Sequence, residues 1–120
     1  MLINDFYKIT EAQGEGNNYA CKIIFDASHD IFKGHFPAQP VVPGVCMLQI
    51  IKELLQQQTG QQLLIRAANN VKFLQLITPE VEPMLNIQWS EMEGAYKVNA
   101  AFKTEDTQLF KLDGQFEIIL

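Results

Sequence analysis

"GHFPAQPVVPGVCMLQII", residues 34–51, decides how the rest of this chain is read. Prolines stand at 37, 40 and 43, and glycine follows at 44. Proline fixes φ, lacks an N–H and keeps the residue before it extended, so this approach is stiff and non-helical. A helical pattern begins where the prolines stop. Val45, Cys46, Met47, Leu48, Ile50, Ile51, Leu54 and Leu55 are apolar around most of a helix circumference. Gln49, Lys52, Glu53 and Gln56 recur at i, i+3, i+4 and i+7 as one narrow polar stripe. The pattern predicts a largely buried helix from Val45 to about Gln58, ended near Gly60.

Alternation dominates on both sides of that helix. Upstream, Tyr19, Cys21, Ile23 and Phe25 share one strand face. The stretch 26–44 has no period and reads as a long loop. Downstream, "LLIRAANNVKFLQLI" (63–77) reads as a long strand with a bulge or bend at Asn69-Asn70. Leu85, Ile87 and Trp89 alternate with polar residues, Glu93-Gly94 turns the chain, and Tyr96, Val98, Ala100 and Phe102 form the next face. After a turn at Asp106 comes a last face of Phe110, Leu112, Gly114, Phe116, Ile118 and Leu120. One apolar helix with one antiparallel sheet predicts an α+β fold, a sheet wrapped around a helix within a single domain, 1–120. An open sheet edge in such a fold invites a second subunit.

Composition narrows the function classes. The chain has 120 residues, 48% of them hydrophobic, and a net charge of −5. That is globular, with no basic stripe for nucleic acid. No apolar run nears the ~18 residues that cross a bilayer. The first residues lack the basic leader and apolar core of an export signal, so the expected setting is cytoplasmic, with Cys21 and Cys46 reduced.

The motif has a family likeness. "HDIFKGHFPAQPVVPGVCMLQII" (29–51) resembles the signature of the 3-hydroxyacyl-acyl carrier protein dehydratases, FabZ/FabA-type enzymes of the hotdog fold. "VKFLQLITPEV" (71–81) resembles their "KFRRPVxPGD" strand and turn, with Leu76, Glu80 and Val81 where the family prefers Pro, Gly and Asp. With the strand order, the likeness covers most of the chain from about residue 19. It implies a curved sheet around one helix and two subunits joined edge to edge. It also implies a tunnel at their interface for an acyl chain on the phosphopantetheine arm of acyl carrier protein. The implied reaction removes water from a 3-hydroxyacyl thioester to give the trans-2-enoyl thioester, with no metal or cofactor. A homodimer or higher even oligomer is the implied assembly.

By motif position His35 is the catalytic histidine. Gly44 offers the backbone N–H for the thioester carbonyl, within a substrate-binding group of Phe36, Pro43, Gly44 and Val45. Gln49 stands where the family places the Glu or Asp that one subunit lends to the other. The family often reads Glu and then Gln four residues later; this chain reads Gln49 and then Glu53.

The residue chemistry agrees with dehydration. A proton leaves C2, another reaches the departing hydroxyl, and charge builds on the thioester oxygen. Unpaired N–H groups at a helix start are preorganised for such an oxygen, and glycine lets it approach. Imidazole as a side-chain type suits a general base near neutrality, which makes His35 the candidate; the plainer reading is a histidine bonded to a loop carbonyl. Gln49 orients a hydroxyl or water and exchanges no proton. Glu53, one turn deeper, is a candidate acid, or simply part of a wet stripe. His29 reads as a loop anchor, and Cys46 as a buried thiol rather than a nucleophile. Two rival functions stay open. One is a hotdog thioesterase. The other is a non-catalytic acyl-thioester binding subunit, such as the inactive partner of a heterodimer.

Overall fold

A computed structural model describes residues 1–34 and 38–119. Its elements are β1 (Tyr7–Glu15), β2 (Asn18–Phe25), α1 (Asp30–Gly34), α2 (Gly44–Thr59), β3 (Gln62–Phe73), β4 (Met84–Met92), β5 (Ala95–Thr104) and β6 (Thr107–Ile119). The six strands form one antiparallel sheet in the order β1-β2-β4-β5-β6-β3. The apolar faces predicted for β2, β4, β5 and β6 turn inward onto α2, save Leu120, which lies outside the described residues. Ile50, Ile51, Leu54 and Leu55 of that helix are fully buried against them. Burial of side chains of this size is worth about 1.5–3 kcal/mol each, so the helix-to-sheet contact is a main source of stability.

Three features correct the sequence reading. First, the N-terminal region forms a strand, β1. It gave no alternation because only Tyr7 is buried along it. It is an edge strand, interrupted where the register shifts between Thr10 and Gln13 and Glu11 takes φ 52°. Second, the stretch 26–44 is not all loop, since Asp30–Gly34 closes a short helix upstream of the prolines. Ile31 N–H donates to His29 Nδ1 (3.1 Å), and Phe32 is buried against Phe6, ring centroids 5.1 Å apart. Third, β3 stops at Phe73 rather than reaching Ile77. Leu74 and Gln75 both turn their N–H groups to the Leu109 carbonyl, at 2.9 and 3.2 Å. The bulge expected at Asn69-Asn70 is present, as a register shift between Ala68 and Asn70, and a second lies between Ile65 and Ala67.

β3 is the other edge of the sheet. Leu64 on it, Phe73 at its end, and Leu74 and Leu76 just beyond are all exposed.

Candidate functional site

Pro43 enters α2 with φ −64° and ψ 145° and caps it without a side-chain bond. Its carbonyl accepts from Cys46 N–H (3.0 Å) and Met47 N–H (3.3 Å). Gly44 and Val45 therefore hold the first two N–H groups of the helix, and neither has an acceptor among the described residues. The entry is pinned from behind, because Val42 N–H donates to the Ile77 carbonyl at 2.7 Å. The Val45 side chain is 73% exposed. A Cβ on Gly44 would lie 2.6 Å from the Phe73 ring, so glycine is what lets that ring stand against the helix start. Beside it runs an apolar groove lined by Val42, Met47, Phe73, Leu74, Leu76 and Ile77.

His35 and Phe36 lie outside the described residues. The short helix α1 ends at Gly34, immediately before them. His29 is a structural histidine, as the plainer reading expected. Its Nδ1 accepts the Ile31 N–H, which leaves the ring proton on Nε2, 3.0 Å from Asp5 Oδ2.

One turn into α2, Gln49 is partly exposed and donates from Nε2 to Glu53 Oε2 at 2.8 Å. Glu53 is 1% exposed, so it is not part of a wet stripe. Its Oε2 also accepts Leu2 N–H (2.7 Å), and its Oε1 accepts Ile3 N–H (2.9 Å) and Tyr7 OH (3.0 Å). Four donors thus converge on one carboxylate, three of them from the start of the chain. The sequence could not signal this role: two of those donors are backbone groups, which leave no mark on residue type. Burial, and then the neighbouring Glu53, push the Tyr7 phenol well above its ordinary range. This geometry turns Glu53 toward Leu2, Ile3 and Tyr7, not toward the helix start.

Cys46 is buried in the first turn, and burial raises its thiol above the ordinary value. Cys21, fully buried on β2, is pushed up to about 12 for the same reason. Among the described residues no group of three His, Cys, Asp or Glu side chains is arranged to hold a metal ion. No helix of those residues is long and apolar enough to cross a membrane.

Comparison with known proteins adds the family. A 3-hydroxyacyl-[acyl-carrier-protein] dehydratase FabZ of Clostridium acetobutylicum is 26% identical over 84 residues, covering 64% of this chain and 60% of that protein. A FabZ of Clostridium botulinum is 27% identical over 106 residues, covering 82% of this chain and 73% of that protein. The match thus spans about three fifths of one relative and three quarters of the other. Among solved structures, a chain of the dehydratase heterocomplex ApeI:P from Xenorhabdus doucetiae superposes with a TM-score of 0.76 at 20% identity. It covers 95% of this chain and 98% of that one, so the fold is the hotdog fold. The profile of the ApeI-like family, described as ApeI dehydratase, runs over residues 11–111, from within β1 to within β6, and the chain belongs to that family.

Proposed function

We propose that this protein removes water from a 3-hydroxyacyl thioester carried by acyl carrier protein and releases the trans-2-enoyl thioester. The observation that carries the reading is the pair of N–H groups at Gly44 and Val45, without a partner among the described residues, where the GHFPxxPxxPG motif ends and the helix begins. The thioester oxygen binds there as charge develops on it, and the N–H groups, already in place, need no reorganisation. His35 takes the C2 proton. The C3 hydroxyl leaves as water after gaining a proton. In this reading Phe36, Pro43 and Val45 wall the thioester, and the groove between Phe73 and Met47 takes apolar parts of the substrate. No step uses a metal or cofactor.

Gln49 faces the site in place of a carboxylate and hydrogen-bonds the hydroxyl. In syn elimination the C2 proton and the C3 hydroxyl lie on one face of the substrate. One imidazole at His35 then serves both, delivering to the hydroxyl the proton it took from C2. The family's two-subunit site makes a dimer part of the proposal. The exposed apolar side chains along the β3 edge supply a surface for it.

A second reading rests on Gln49 together with the burial of Glu53. A heterodimer would pair His35 of this chain with a carboxylate from a different subunit. The X. doucetiae structure is of a heterocomplex.

Incubation with 3-hydroxyacyl-acyl carrier protein separates these functions. Loss of 18 mass units from the acyl group without free thiol is the expected result. Release of free thiol would instead mean a thioesterase. Binding without turnover by the protein alone, with turnover on adding a carboxylate-bearing relative, would mean the heterodimer.

A further inference from the structure

We propose that Glu53 is a positioning residue that fixes the orientation of the Gln49 amide, with Nε2 inward and Oε1 outward. The chain then presents to its site a hydrogen-bond acceptor that carries no exchangeable proton. The chemical consequence rests on the dehydration reading; the orientation itself does not.

The orientation follows from what Glu53 already binds. Its Oε2 takes Leu2 N–H and its Oε1 takes Ile3 N–H, and a backbone N–H can only donate. Both oxygens are therefore acceptors. Turning the Gln49 amide over would set its carbonyl oxygen against Oε2 at 2.8 Å, acceptor against acceptor. The NH2 end must face inward. Gln49 Oε1 then has no donor among the described residues, on a side chain that is partly exposed. A donor brought by the ligand, the 3-hydroxyl or a water, meets an oxygen that is already aimed. The i, i+4 spacing on α2 puts both side chains on one helix face, where they meet without strain.

This arrangement reverses the order the family often shows, Glu and then Gln. Here the carboxylate is the inward group and acts through Gln49. Exchanging the two residues keeps a bond between positions 49 and 53 but swaps donor and acceptor. Gln49→Glu alone does not, because it sets two carboxylates side by side.

The experiment uses the full chain labelled with 15N, with the Gln49 side-chain NH2 signals identified by their loss in Gln49→Ala. The expected result is one Nε2 proton shifted downfield and protected from exchange in the wild type, and both properties lost in Glu53→Leu. Backbone signals of β5 and β6 serve as the check that each variant is folded. Glu53→Leu frees three other donors and can unfold locally, so the wild-type NH2 signals decide the orientation by themselves. An unprotected, freely exchanging Gln49 amide in the wild type would overturn it. In turnover, Glu53→Gln is expected to lower kcat roughly two- to tenfold with little change in KM, the effect of one loosened hydrogen bond. An unchanged kcat would overturn the positioning role. Wild-type protein with no dehydration activity would overturn the functional reading, while the NH2 signals still decide the orientation.

Discussion

At its C-terminal end α2 is capped by backbone and side-chain bonds. Gly60 takes a left-handed φ of 71° and returns its N–H to the Gln56 carbonyl at 2.9 Å. Thr59 Oγ1 donates to the Leu55 carbonyl at 2.9 Å, and Gln56 Oε1 accepts from Leu63 N–H at 2.8 Å. At its N-terminal end the helix has no side-chain cap, and Gly44 and Val45 keep N–H groups without a partner among the described residues. A helix that only needed to hold the sheet would gain from sealing both ends. On the proposed reading the difference separates two jobs along one element, anchoring at the far end and ligand binding at the near end.

If that division is right, changes near the start of α2 act on turnover and changes at its end act on stability. The largest effect belongs to His35→Ala, which should slow dehydration by roughly 10²–10⁴-fold, measured as enoyl formation. Next comes Gly44→Ala, which should weaken thioester use about tenfold, on the order of one hydrogen bond to a charged oxygen. The added methyl would also press on the Phe73 ring, so Gly44→Ala/Phe73→Ala tests which effect operates. Activity restored in the double variant would mean that packing, not carbonyl approach, is what the glycine serves. At the far end, Gly60→Ala places a Cβ in the left-handed region and should cost about 1 kcal/mol of unfolding free energy, with kcat unchanged. The smallest effect concerns Cys46. Its thiol is held above its usual range by burial, so in the native protein at pH 8 it should react with a thiol reagent far more slowly than free cysteine. Fast labelling would mean that the near end opens more than its packing suggests.

Legibility in the sequence followed burial. β2, β4, β5 and β6 each turn one face to α2, and Tyr19, Leu85, Val98 and Leu112 stand at the alternate positions that reveal it. The helix was equally plain, because its apolar residues cover most of its circumference. β1 was not legible. Beyond Tyr7 and Ile9 it has no face to bury, and a bulge at Glu11 breaks its period. A five-residue helix such as α1 is too short to show a period at all. At the site, the motif carried Gly44, Val45 and the exchange of Gln49 with Glu53. What it could not carry was the direction of the Glu53 side chain. A polar stripe reads the same whether it faces water or donors that arrive from fifty residues away.

Those distant donors bear on local unfolding. The bonds from Leu2 and Ile3 to Glu53 close loops of 51 and 50 residues, and the helix does not need them in order to form. Residues 2 and 3 can detach while Phe6 and Tyr7 stay buried in the core, as a separate low-energy opening of the native state. Each such opening would loosen the Glu53 carboxylate that holds Gln49, so amide hydrogens at Leu2 and Ile3 should exchange in step with those of the Gln49 side chain, well ahead of the strands β5 and β6.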